Sequence, residues 1–334
     1  MAVISLKSVR KYLPDGFISS MILMIFLAWL IPGIGKAGSA IELKALIRYG
    51  NSLLFFFYGL RLSPEKLKND LSNWRLHVLI QLITFLVFPL VVLLFRPLLK
   101  GAEGEILWLS VFFLAVLPST VSSSVVMVSI AKGNIPSAIF NASISGVIGI
   151  LITPAWMGLF LEKQNEAFAF AGVLKDLALQ ILIPLCLGLF LHRFWGGWAR
   201  RYNSYISKFD RSVILLIVYH SFSNAFMSDI FSSIRMSDLL GLSASVILLF
   251  FLIFEGTKLL TRLLPFKRED RITVLFCGSK KSLVHGSVMA SVLFAGSGLG
   301  SLFLVPVMIY HAFQLFYISI VARRYGNELR PLSE

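Results

Sequence analysis

Polar residues do not recur at regular intervals along this chain. They gather in short clusters between long apolar runs such as 17–32, 78–95 and 213–231. A run of about 20 apolar residues makes a helix about 30 Å long, the thickness of a bilayer's hydrocarbon core. Backbone groups in lipid must pair within a helix or a closed barrel. A barrel needs segments of about ten residues alternating in polarity, and these runs do not alternate. The pattern predicts an all-α integral membrane protein of ten transmembrane helices, with spans near 16–32, 45–61, 76–95, 106–131, 136–161, 171–192, 212–231, 239–262, 272–295 and 299–322.

Composition supports that reading: 57% of residues are hydrophobic and 14% charged, where a soluble domain carries about 25% charged residues. The net charge of +14 would suit nucleic acid, but the basic residues are spread over loops between spans. Assigned to alternate sides, 21 of the 31 Lys and Arg residues fall with the termini, 8 fall opposite, and Lys280 and Lys281 lie within a span. By the positive-inside rule both termini are cytoplasmic and the span number is even. The first span follows a basic stretch without a small-residue cleavage site and is expected to be retained. Cys186 and Cys277 both lie in apolar segments, so neither a disulfide framework nor a zinc spacing is expected.

Ten spans divide into five and five, and an odd-numbered unit used twice appears once in each orientation. The chain is thus expected to hold two inverted repeats, 1–165 and 166–334. Polar interruptions fall at matching places in the two halves. The fourth span contains Leu117-Pro118-Ser119-Thr120-Val121-Ser122-Ser123-Ser124, and the ninth contains Phe276-Cys277-Gly278-Ser279-Lys280-Lys281-Ser282. Interrupted hydrophobic segments in corresponding positions point to a transport site. Pro118 removes a backbone donor and frees a carbonyl one turn earlier. Ser119, Thr120, Ser122, Ser123 and Ser124 can then serve the freed groups or a ligand, beyond merely allowing close helix packing.

The fifth span spaces Ser137, Asn141 and Ser145 by four, giving one polar face. Gln81 and Thr84 in the third span are further candidates, for the site or for helix packing. The lysines carry the strongest signal. They lie about nine residues beyond Arg271, or about 13 Å of helix, near the limit from which a lysine stem can snorkel. Intramembrane lysines are expensive and usually functional. His285 lacks a carboxylate partner or a nucleophile elbow and reads as a packing residue. Glu255 and Lys258 read as an interfacial ion pair. No Asp or Glu occurs in 106–161 or 272–327, the windows where a sodium or proton site would want a carboxylate.

These residues resemble the bile acid:sodium symporter superfamily, in particular the branch of sodium/bile acid cotransporter 7. The resemblance rests on the two interruptions and on Ala131-Lys132-Gly133-Asn134 with Ser137 and Asn141. It implies a panel of spans 1, 2, 6 and 7, and a core of spans 3, 4, 5, 8, 9 and 10 in which broken helices 4 and 9 cross. In the sodium-coupled members two ions bind near that crossing. Transferred by position, their ligands fall at Ser123 and Ser124, around Ser137 and Asn141, and at Gln81 or Thr84. An acidic ligand falls near Phe276 and a Gln near Lys280. The acid is therefore missing, and a cation stands where the Gln would. An ammonium offers a positive charge and three donors. Two unit charges about 4 Å apart repel by roughly 4 kcal/mol at a moderate effective dielectric, so sodium beside a charged Lys280 is disfavoured.

The sequence thus predicts an inner-membrane carrier, without cofactor, moving a small organic anion by alternating access with weak or no sodium dependence. Ser119, Thr120, Ser122, Ser123, Ser124, Ser137, Asn141, Ser279, Lys280, Lys281, Ser282, Gln81 and Thr84 are its candidate binding residues. If sodium binds, it binds at Ser123, Ser124, Ser137 and Asn141. Proton coupling through a titrating lysine, as in a cation/proton exchanger on the same fold, is the nearest alternative. An intramembrane regulator or lipid-modifying enzyme is a further one, for which the sequence offers no metal or nucleophile cluster. Membrane lipid is the expected surrounding, nucleic acid is not expected as a partner, and the oligomeric state is left open.

Overall fold

The computed structural model describes residues 16–35, 42–62, 73–98, 101–120, 122–161, 170–227, 235–294 and 300–327. Among these, every regular element is helical. In chain order they are α1 (Gly16–Leu30), α2 (Leu43–Arg61), α3 (Trp74–Leu94), α4 (Gly101–Val116), α5 (Ser122–Ile130) and α6 (Ile135–Leu161). The second half holds α7 (Phe170–Leu177 continuing through Ile183–Arg201), α8 (Asn203–Met227), α9 (Met236–Leu263), α10 (Arg268–Gly278), α11 (Leu283–Leu293) and α12 (Gly300–Asn327). Five helices, α3, α6, α7, α9 and α12, are long and apolar enough to cross a bilayer unaided. Leu23, Phe26, Trp29, Phe190, Phe194, Leu248 and Leu259 are all exposed on the outside, as a lipid-facing surface requires.

The expected loop 193–211 is a correction to the sequence reading. That stretch is helical on both sides, and the chain reverses at Tyr202 between Arg201 and Asn203. Charge ended the apolar run at Arg193, yet the helix continues for two further turns, and the Trp198 ring lies 5.4 Å from that of Tyr202, tilted by 38°. The fourth and ninth spans are each divided, into α4 with α5 and α10 with α11.

α7 lies against α2 with backbones in contact. A Cβ on Gly188 would come within 2.1 Å of the Phe56 carbonyl, and one on Gly59 within 2.2 Å of the Leu185 carbonyl. Reciprocal glycines of this kind replace side-chain interdigitation by direct backbone packing, the usual device of membrane helices. α8 packs on α1 and α2, and Arg61 pairs with Asp210 at 2.7 Å where α2 and α8 meet.

α3 changes pitch in the middle. Residues 83–87 form a π turn, and the Phe88 N–H bonds the Ile83 carbonyl five residues back. The next donor in that register would be residue 89, a proline, so the Thr84 carbonyl loses its helical partner. Trp156 on α6 donates its indole N–H to the neighbouring Phe85 carbonyl at 3.0 Å.

The α2–α7 contact yields a test. Gly188→Ala should destabilise the protein by about 3 kcal/mol or more, because its methyl meets backbone that cannot rotate away. Gly256→Ala, with nothing within 4 Å, should be neutral or stabilising by up to about 1 kcal/mol. Apparent melting temperatures of the purified variants check both.

Candidate functional site

The two interruptions meet, and each supplies hydrogen bonds to the other. A helix end leaves its last four carbonyls without helical donors, and inside a membrane each must find one. At the end of α4, Ala115 and Leu117 accept from Lys281 Nζ at 2.6 and 2.8 Å. Val116 accepts from the Thr153 hydroxyl at 2.8 Å, and Pro118 from the Ser282 backbone N–H at 2.9 Å. At the end of α10, Cys277 accepts from the Ser119 hydroxyl at 2.6 Å and Ser279 from the Tyr310 hydroxyl at 2.7 Å. Phe276 is approached by the Ser124 hydroxyl at the long limit of 3.5 Å. Gln314 grips the Lys281 peptide from both sides, accepting its N–H at 3.0 Å and donating to its carbonyl at 2.8 Å.

Both lysines point inward and neither snorkels. Lys281, 1% exposed, gives its third hydrogen to the Thr84 carbonyl at 2.7 Å, the group that the π turn and Pro89 release. Its ammonium is thus fully paired by three carbonyls, and it lies 3.9 Å from the centroid of the Phe88 ring, a favourable cation–π approach. Lys280 behaves differently. It donates to the Ser123 carbonyl at 2.9 Å and reaches the Ser123 hydroxyl only at 3.5 Å.

Several nominated hydroxyls hold the scaffold instead of facing an open site. Ser279 bonds the Leu275 carbonyl, Thr84 the Ile80 carbonyl, and Ser282 caps the His285 N–H at the start of α11. Thr84 therefore serves through its carbonyl and not its side chain. Thr120 lies within hydrogen-bond distance of Ser123 and Ser124, at 2.7 and 3.0 Å. The Ser122 side chain lies outside the described residues.

Ser137, Asn141 and Gln81 form a second group. Asn141 accepts from Gln81 at 3.2 Å and contacts His77 Nδ1 at 2.7 Å. The Ser137 hydroxyl and Gln81 Oε1 are buried without a partner. The two groups join through the loop after α5. Lys132 takes a left-handed conformation, φ 57°, and Asn134 caps α6 by accepting from the Ser137 N–H at 3.2 Å. Asn134 also donates to Asp270 on α10 at 2.8 Å. Glu255 and Lys258 pair at 2.9 Å. Among the described residues no three of His, Cys, Asp or Glu come together as a metal site would require.

Sequence reasoning missed His77, Tyr310 and Gln314, single polar residues in apolar helices with no motif around them. It also missed Pro89 as the origin of the free Thr84 carbonyl, although an intrahelical proline was visible there.

The model of the SBF-like CPA transporter family matches residues 15–327, so both interruptions and every helix described above fall within it. The chain belongs to this family. Among relatives of this SBF-like transporter, an uncharacterized protein of Pseudomonas aeruginosa is 36% identical over 95% of this chain and 94% of its own length. The Escherichia coli K12 protein YfeH is 33% identical over 95% of each chain. Sodium/bile acid cotransporter 7-B of Xenopus laevis is 31% identical over 95% of this chain and 92% of its own.

The clamp makes a stability prediction. Lys281→Met strands three buried carbonyls, each worth about 1–3 kcal/mol when unpaired, and should cost on the order of 3 kcal/mol or more. Lys280→Met strands one strong bond and should cost distinctly less. Melting temperatures of the two variants, compared side by side, test the ranking.

Proposed function

We propose that this SBF-like transporter carries small organic anions through the cytoplasmic membrane by alternating access, without sodium. The observation that supports it most is the Lys281 ammonium, held by three carbonyls at the α4 end and the α3 π turn. Such a carbonyl cluster suits a hard cation, and here a tethered cation takes it. Lys280 adds a second positive charge beside the start of α5, and no carboxylate lies in 106–161 or 272–327 to offset either one. Sodium and bile acid belong to the names of relatives, and the lysines argue against carrying the first over to this chain. Positive charge at a helix crossing favours an anionic cargo.

Counting each divided pair as one traverse gives ten. α1–α6 and α7–α12 then repeat the same order, with the divided pair fourth in each half, which supports two inverted repeats. α1, α2, α7 and α8 would form the panel, and the other helices the core that moves against it. Reporter fusions should read cytoplasmic at Asn203 and Phe266 and external at Ala102; the reverse pattern would refute this topology.

A proton-linked carrier is the second reading, favoured by Lys280. With one strong carbonyl bond, its ammonium is less fully paired than that of Lys281, and a lysine that gives up its proton during the cycle would couple transport to protons. Uptake of radiolabelled organic anions by proteoliposomes, with sodium or potassium at several pH values, separates these readings. Candidate anions come from a thermal-shift screen of the purified protein. We expect equal rates in the two salts and a several-fold loss in Lys280→Gln. A pH gradient that drives uptake would select the proton-linked reading. Strong sodium dependence, or a Lys280→Gln variant equal to the parent, would overturn the role assigned to the lysines.

A further inference from the structure

We propose that one face of α7 binds an acidic phospholipid, its phosphate among Arg193, Arg200 and Arg201 and an acyl chain along the helix beside them. Ile183, Leu187, Phe190 and Phe194 follow one another at helical spacing, so they form one row along the stretch Ile183–Arg201. They are 54, 50, 71 and 63% exposed, which makes an open apolar strip about 16 Å long. The same row continues through Gly197 to Arg201. Arg193 and Arg200 flank its end on one side, and the half-exposed Trp198 flanks it on the other. All three arginines are exposed. Among the described residues no carboxylate pairs with them, and Asp210, early in the next helix, is held by Arg61 at 2.7 Å.

The buried side of the same turns fixes this face outward. His192 Nδ1 lies 2.7 Å from the Leu60 carbonyl, and Ala199 packs with Leu60 and Ile206 in a small cluster apart from the main core. Helical side chains lean toward the N-terminus, so arginines at the C-terminal end of a spanning helix lean back toward the headgroups. Arg200 does so: its Nη2 lies 4.0 Å from where a Cβ on Gly197 would stand, and nothing else comes as close to that point. The Arg193 guanidinium lies over the Phe194 ring at 4.9 Å, which joins the cationic end to the apolar strip. A guanidinium offers a fork of donors that matches phosphate oxygens, and basic clusters at the end of a spanning helix attract acidic headgroups. A soluble anion would leave the strip bare. A second copy in the same orientation, meeting this face, would set arginines against arginines. A phospholipid satisfies both ends, and by the topology proposed above it lies in the cytoplasmic leaflet.

Native mass spectrometry of the full-length protein in micelles tests this, with phosphatidylglycerol and phosphatidylcholine of identical acyl chains as the probes. The first phosphatidylglycerol should bind about tenfold or more tightly than the first phosphatidylcholine. Arg200→Gln with Arg201→Gln should remove most of that preference. Arg262→Gln with Lys267→Gln, which removes two exposed charges around the α9–α10 turn, should keep it. Phe190→Ala should weaken both lipids several-fold and leave their ratio unchanged. Equal affinity of the parent for the two lipids, or an equal loss of preference in both double variants, would overturn the proposal. Displacement of the lipid by glycerol 3-phosphate would assign the arginines to a soluble phosphate and overturn it as well. So would a lipid-free dimer that Phe190→Lys dissociates, which would give the face to a second copy. Micelles have no sides, so the outcome is independent of the reporter fusions that test the topology and of the uptake measurements that test transport.

Discussion

The meeting of the two helix breaks depends on one ammonium group. A helix cannot stop inside a membrane unless its last carbonyls are met, and no water is at hand to meet them. Lys281 meets two of those of α4 and one of α3, drawing three segments from distant parts of the chain to a single point. The charge is expensive to bury alone, and the carbonyl dipoles, each with its negative end toward it, make burial tolerable. Around that point the remaining groups pair reciprocally. Ser119 of the first interruption serves the α10 end, and Ser282 of the second serves the α4 end.

Much of this was legible in the sequence, because bilayer thickness imposes a length that soluble cores do not. Apolar runs located the helices to within a few residues, and the interruptions at 117–124 and 276–282 marked both breaks. The α7–α8 junction was less legible. Arg193, Arg200 and Arg201 ended the hydrophobic pattern, but charged residues make good helix where a chain leaves the bilayer, so hydropathy could not show the extra turns.

Partner choice was harder still to read. The sequence gives Lys280 and Lys281 identical chemistry. Which of them enters the carbonyl cluster is decided by the backbone path through 279–282, a non-helical stretch to which helical periodicity does not apply. The Thr84 carbonyl carried no side-chain signature either; its availability follows from Pro89 five positions on and a change in helix pitch. His77, Tyr310 and Gln314 matter because of what lies opposite them, and a single chain read in order does not show what lies opposite.

The reciprocal pairing also has a consequence for how the protein is made. The Ala115 carbonyl and its lysine donor are 166 residues apart. At about 5–20 residues per second, the end of α4 is synthesised roughly 8–33 seconds before Lys281 exists. During that interval its carbonyls have no partner from the second half, and lipid supplies none. The α4 break therefore has to wait in a hydrated place, within the insertion machinery or at the membrane surface, until the second half arrives to close it.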